Sequence, residues 1–138
     1  MIDNFHEEYS FLSNFYPSEV KFDRVVYPTV EHAYQAAKTI NITEQNIILK
    51  QETPGRAKRA GQNVHLREDW DYIRFAVMED LVRQKFKNHV ELKNKLIETN
   101  SNELVEGNTW GDTYWGVCRG VGENNLGLIL MKVREELK

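Results

Sequence analysis

T-V-E-H-A-Y-Q-A-A-K, residues 29–38, carries the clearest helical signal in the chain and governs how its surroundings are read. Thr29 follows Pro28 and suits an N-cap, because its hydroxyl takes up one of the N–H groups that a helix start leaves unpaired. Glu31 then falls in the first turn, where the positive end of the helix dipole favours an acid. The helix is expected to run to about Thr39. Val30, Ala33, Ala37 and Ile40 form one face, and the alanines allow neighbouring helices to come close. Seven residues advance a helix by about 700°, so Glu31 and Lys38 lie within roughly 20° of one face, about 10 Å apart along the axis. Tyr34 and Gln35 sit between them on that face. An acid, a phenol, an amide and an amine along one stripe suit a sugar-sized groove. A solvated polar face with a distant Glu/Lys pair meets the same spacing.

Upstream, F-L-S-N-F-Y-P (11–17) is too aromatic for a free tail and should be pinned to the body. V-K-F-D-R-V-V-Y (20–27) reads as a short hairpin turning at Asp23-Arg24, although that pair is not a favoured two-residue turn. Downstream, residues 43–51 read as a second helix. Thr53 before Pro54 is a cap-then-first-position start for a third, P-G-R-A-K-R-A-G (54–61). The longest helix is expected over about Trp70 to Lys87, with Ile73, Val77, Leu81 and Phe86 as its apolar stripe. A shorter helix at 90–99, an extended piece at 103–106, a glycine-rich segment and a closing helix capped by Asn124 or Asn125 complete the chain. The expected fold is mainly α with a small antiparallel β element, built as one compact domain over residues 1–138.

With 138 residues and one cysteine, Cys118, the chain is long enough for a single core and has no disulfide framework. A formal net charge of −3 is not the footprint of a bulk nucleic-acid binder, although a local basic patch is compatible with it. The N-terminus M-I-D-N-F-H-E-E is unlike a signal peptide and no long apolar run is present, so a cytoplasmic protein away from membranes is expected. His6, His32, His65 and His89 show no metal-ligand spacing, and no metal or cofactor is expected. The nucleophile elbow G-x-S-x-G is absent, and Cys118 reads as a small buried thiol.

Two further segments carry candidate chemistry. In 53–61, a capped helix start with Arg56, Lys58 and Arg59 nearby is either a phosphate seat or a solvated basic helix; it is not a P-loop. In N-T-W-G-D-T-Y-W-G (108–116), Asp112 lies among Trp110, Tyr114 and Trp115. Aromatics beside a carboxylate suit a site that stacks a planar base and stabilises positive charge at a ribosyl carbon; a folded loop with core tryptophans fits equally. Trp70 is open to the same two readings.

These segments, taken in order, resemble the NADAR family, the YbiA-like N-glycosidases. The matching stretches are 11–17, Y-P-T-V-E-H-A-Y-Q-A-A-K (27–38), 54–61, R-E-D-W-D (67–71), M-E-D-L-V-R-Q-K-F (78–86), L-V-E (104–106), D-T-Y-W-G (112–116) and N-L-G-L-I-L-M-K-V-R (125–134). Each is modest alone, but eight in the right order are specific. The resemblance implies a YbiA-like fold and hydrolysis of a bond between ribose C1′ and a nitrogen base. Two substrate classes go with the family: phosphorylated ribosylamino-pyrimidine intermediates of riboflavin synthesis, and ADP-ribose attached to guanine in DNA or RNA. With no second enzyme domain in the chain, the guanine adduct is preferred.

By matching motif positions, Glu31, Trp70 and Asp112 look like the family's functional residues and Lys38 occupies its lysine position. The departure is Cys118, where relatives tend to have glycine. The resemblance makes the helix one wall of a ribose pocket, with Asp112 facing it and Trp70 beside it. Lys38 is then the expected nucleophile at C1′, forming a Schiff base with ring-opened ribose, while Glu31 or Asp112 protonates the base. Direct attack by water, with Lys38 only binding, is the alternative mechanism. Trp70 and Trp115 are expected to stack the base, and Arg56, Lys58 and Arg59 to hold phosphate. Asn14, Phe15, Tyr34, Gln35 and Gly116 complete the expected substrate-binding set. A non-catalytic reader of ADP-ribose would need the aromatics and cations but not the paired acid and amine.

Overall fold

The structure, a computed structural model, describes residues 1–138. Its packing separates into two compact units, Asn14–Lys85 and Met1–Ser13 with Phe86–Lys138.

The first unit opens with the expected hairpin. Strands β1 (Val20–Phe22) and β2 (Val25–Tyr27) pair antiparallel, with Val20 opposite Tyr27 and Phe22 opposite Val25. Asp23 and Arg24 both take left-handed conformations, φ 49° and 69°, as a two-residue primed turn requires. Burial of Val20 and Tyr27 holds the register despite the poorly suited turn residues.

Helix α1 (Val30–Ala37) is the centre of this unit: all eight of its residues are buried. It ends slightly before the expected Thr39, with Lys38 as its C-cap. Helices α2 (Ile42–Leu49) and α3 (Pro54–Gly61) both pack on α1, as does the hairpin. Small side chains at Ala33, Ala36 and Ala37 admit these neighbours. The stripe of Glu31, Tyr34 and Gln35 is therefore enclosed rather than solvated. His32 is a structural residue, its Nδ1 2.7 Å from the Thr29 hydroxyl and its Nε2 3.0 Å from the Gln51 carbonyl oxygen.

Helix α4 (Trp70–Lys87) has the expected length but a rotated core face. Trp70, Met78, Leu81 and Val82 are buried, whereas Ile73 and Val77 of the expected stripe are only partly covered. Met78, Leu81, Val82 and Lys85 follow the helical i, i+3, i+4, i+7 spacing, which carries a lysine into the interior.

In the second unit, a 3-10 helix at Glu7–Leu12 buries Phe11 and Leu12, which anchors the front of the aromatic motif. Helices α5 (Val90–Glu98) and α6 (Asn125–Leu137) contribute Leu92, Leu96, Leu126, Ile129, Leu130 and Val133 to its core. Residue 104 of the extended piece pairs with Ile2 in a parallel bridge. A second two-stranded element, β3 (Gly107–Asn108) with β4 (Val117–Cys118), is parallel, an addition to the antiparallel element expected. Asn124 occupies the N-cap position of α6, but in a left-handed conformation and without capping through its side chain. Its amide instead ties loops together: Oδ1 accepts from the Glu106 N–H at 2.9 Å and Nδ2 donates to the Leu104 carbonyl at 3.0 Å.

Candidate functional site

The first unit gathers Glu31, Tyr34, Gln35, Lys38, Lys58 and Trp70. At the start of α1, the Thr29 hydroxyl accepts the His32 N–H at 3.0 Å, and the Asn14 carbonyl accepts the Glu31 N–H at 3.1 Å. Asn14 in turn donates its side-chain amide to the Met78 sulfur at 3.4 Å, so the 14–16 stretch is fastened to both α1 and α4. Phe15, next to it, is exposed.

One turn along α1, the Gln35 Nε2 donates to the Glu31 carboxylate at 3.2 Å. Tyr34 meets Trp70 of α4 with ring centroids 5.1 Å apart and planes tilted by 55°. The Lys38 Nζ lies 5.7 Å from the centroid of the Tyr34 ring, a cation–π distance. Burial lowers the pKa of the Lys38 amine below that of a free lysine; Glu31 opposes this and Lys58 reinforces it. The physical cause is the cost of carrying charge out of water, with a second cation nearby adding to it. A lysine in that state reaches its neutral, nucleophilic form at a lower pH than an exposed one.

The end of α1 is equally constrained. The Lys38 carbonyl accepts the Arg67 N–H at 2.8 Å. Glu44 Oε1 takes the Thr39 hydroxyl at 2.8 Å and the His65 N–H at 3.0 Å, and its Oε2 lies 2.8 Å from His65 Nδ1. These bonds, the His65 side chain first, hold the Glu44 carboxyl below the usual glutamate range.

The basic residues of α3 do not act together. Thr53 caps the helix by accepting the Arg56 N–H at 3.1 Å, and the Arg56 guanidinium pairs with Glu52 at 3.2 Å on the surface. Arg59 is exposed, whereas Lys58 is half-buried and close enough to depress the Lys38 amine.

Asp112, Trp115 and Gly116 belong to the second unit. Asp112 Oδ1 accepts the N–H groups of Tyr114 at 3.1 Å and Trp115 at 2.9 Å. Asn108 clasps the same residue from the other side, accepting its N–H at 3.0 Å and donating to its carbonyl at 2.9 Å. Tyr114 and Trp115 meet edge to face with centroids 4.7 Å apart, while Trp110 stands in solvent. Gly116 is required by space: a β-carbon there would strike both the backbone and the carboxylate of Glu106. Asp112 is thus the organiser of an aromatic loop. Cys118 is buried, as expected.

Sequence reasoning did not single out Asn108, Glu106, Glu44 or His65. For Asn108 a signal existed, an amide four residues before an aspartate with glycine between. For the Glu44–His65 pair there was none, because the two are 21 residues apart and on different elements.

Comparison with known proteins identifies the family and the fold. The NADAR domain family matches residues 2–138. The chain is 37% identical over 134 residues to the N-glycosidase YbiA of Escherichia coli, covering 95% of this chain and 83% of that one. It is 35% identical over 138 residues to an N-glycosidase of Nostoc punctiforme, covering 96% and 88%. A riboflavin biosynthesis protein of Vibrio vulnificus is 38% identical over 135 residues, but the chain spans only 36% of its length. The NMR structure of E. coli YbiA superposes with a TM-score of 0.86 at 36% identity, covering 99% of this chain and 84% of that chain.

Proposed function

The chain belongs to the NADAR domain family and is an N-glycosidase, and from that premise we propose that it removes ADP-ribose from guanine in nucleic acid, with Lys38 as nucleophile. The two units are read as one catalytic domain, because the family match runs across both. The observation that carries this reading is the enclosed stripe of Glu31, Tyr34 and Gln35 leading to the half-buried Lys38, whose amine is depressed by burial and by Lys58.

In the proposed reaction the neutral Lys38 amine attacks C1′ of the ribose. The bond from C1′ to the base nitrogen breaks as Glu31 delivers a proton to that nitrogen, and the ring opens to leave an imine between C1′ and Nζ. Water then adds to the imine carbon, and its collapse releases the sugar and regenerates the amine. Tyr34 and Trp70 offer aromatic surface for the base, and Asn14 fixes the first turn of α1 beside it. Lys58 supplies charge for a phosphate close to the reacting sugar, with Arg56 and Arg59 further out. Asp112 organises the loop that carries Trp115 and Gly116. Its Oδ1 already accepts two N–H groups, which suits holding a loop better than shuttling a proton.

The names of two relatives favour a second substrate. Riboflavin biosynthesis proteins of Vibrio vulnificus and Zea mays contain a matching region, so a phosphorylated ribosylamino-pyrimidine is the competing choice. Incubating the protein separately with guanine-ADP-ribosylated DNA and with the pyrimidine compound, and identifying the released base by mass spectrometry, decides between them. Lys38→Arg is expected to abolish turnover of the true substrate, since a guanidinium binds anions but does not readily form an imine. Full activity in Lys38→Arg would favour direct attack by water instead.

A further inference from the structure

Glycine inside a helix is unfavourable relative to alanine, so its presence calls for a reason. Gly61, the last residue of α3, is not among the glycines with positive φ, which are Gly111, Gly120 and Gly122. Backbone geometry therefore does not demand glycine there. Space does. A β-carbon on Gly61 would overlap the Gln35 amide oxygen and stand 2.8 Å from its Cδ and 3.1 Å from its Cβ. Gln35 is 3% exposed, and its Oε1 is buried with no hydrogen-bond partner. No hydrogen bond to that oxygen holds the amide in place. It is kept by contact with the bare backbone of α3 on one side and by its bond to Glu31 on the other. The amide's orientation follows from charge, since only its N–H₂ end is attracted to a carboxylate.

We infer that Gly61 is a positioning residue for Glu31: by lacking a side chain it seats the Gln35 amide so that Nε2 donates to the Glu31 carboxylate. The inference concerns the same site as the proposed reaction and rests on Glu31 acting in it. Gly61 touches no substrate; it acts on chemistry only through Gln35. Because the nearest atoms in its way are the end of a flexible side chain, Gly61→Ala is expected to move the amide rather than break the fold.

Three variants test this: Gly61→Ala, Gln35→Met and the double variant. Gly61→Ala should keep its thermal midpoint within a few degrees, or raise it, while kcat/KM falls roughly ten- to hundredfold, the range for a hydrogen bond to a charged group. Gln35→Met should fall comparably, and the double variant should be no worse than either alone, because both remove one interaction. A carbon-detected NMR titration of Glu31 reads the same link without any substrate. Its carboxyl pKa should rise in Gly61→Ala and in Gln35→Met, since a lost donor destabilises the charged form. The rise by itself favours the proton-donating acid, so the loss of kcat/KM reports displacement of the carboxyl. Lys38 and the nearby Lys58 remain in every variant. Wild-type kinetics in Gly61→Ala, an unchanged Glu31 titration, or losses that multiply in the double variant would overturn the inference. Should the wild-type protein cleave neither substrate, the functional reading fails while the titration still decides the positioning. Should Gly61→Ala not fold, the titration of Gln35→Met decides whether the amide acts on Glu31, and an unchanged value there also overturns it.

Discussion

Lys38 and Lys85 are both amines withdrawn from water, and the difference between them separates chemistry from packing. Lys38 keeps an acid, a second cation and an aromatic ring within reach. Burial lowers Lys85 to about 7, with its Nζ 5.6 Å from the centroid of the Tyr16 ring. In the unfolded chain Lys85 returns to 10.5, so between about 7 and 10.5 the unfolded state binds the extra proton. Stability contributed at this position therefore rises with pH across that window and is least below it. Lys85→Met is expected to stabilise the protein at neutral pH by on the order of 2 kcal/mol and to flatten this rise. Urea denaturation at pH 6 and pH 9 checks both effects; equal pH dependence in the variant would refute them. The shared face of Glu31 and Lys38 was legible from the 29–38 stretch because a seven-residue offset depends only on helical geometry, whereas the role of Lys38 came from the resemblance of the ordered motifs. The burial of Lys85 was not legible, since a charged residue in a helix reads as solvent-facing until the phase of the buried stripe is known. Gly61 was hidden for another reason: its role depends on a side chain 26 positions earlier, which no local pattern records.

Chemical punctuation made the starts of α1 and α3 legible in the sequence. Thr29 and Thr53 cap α1 and α3 as expected, and Pro54 opens α3. Strands β3 and β4 escaped because two-residue strands have no periodicity to detect. The far end of α1 escaped as well, though it holds the backbone of Lys38. There the Glu44 carboxylate joins Thr39 to His65, and Arg67 binds the Lys38 carbonyl. Glu44→Gln should loosen that end and lower both the melting temperature and the rate. The Glu44 carboxyl is held below 4.5, its ordinary value, so its contribution is present above that pH and is lost as pH falls through the lowered value. Acid titration of stability should therefore be shallower in Glu44→Gln than in wild type. An equally steep decline in the two proteins would show that the Glu44 bridge does not hold α1.

At the scale of the whole molecule, the ordered motifs predicted a mainly helical, YbiA-like fold, and the superposition on YbiA bears this out. No helix is long and apolar enough to cross a membrane. The central claim is that the half-buried, depressed amine of Lys38 at the end of α1 performs the N-glycosidase chemistry. Borohydride reduction during turnover, followed by peptide mass spectrometry, tests it most directly. The account predicts a sugar adduct on Lys38 that forms with the cleaved substrate and is absent from Lys38→Arg. Undiminished base release by Lys38→Arg, with no adduct trapped on the wild-type protein, would contradict it.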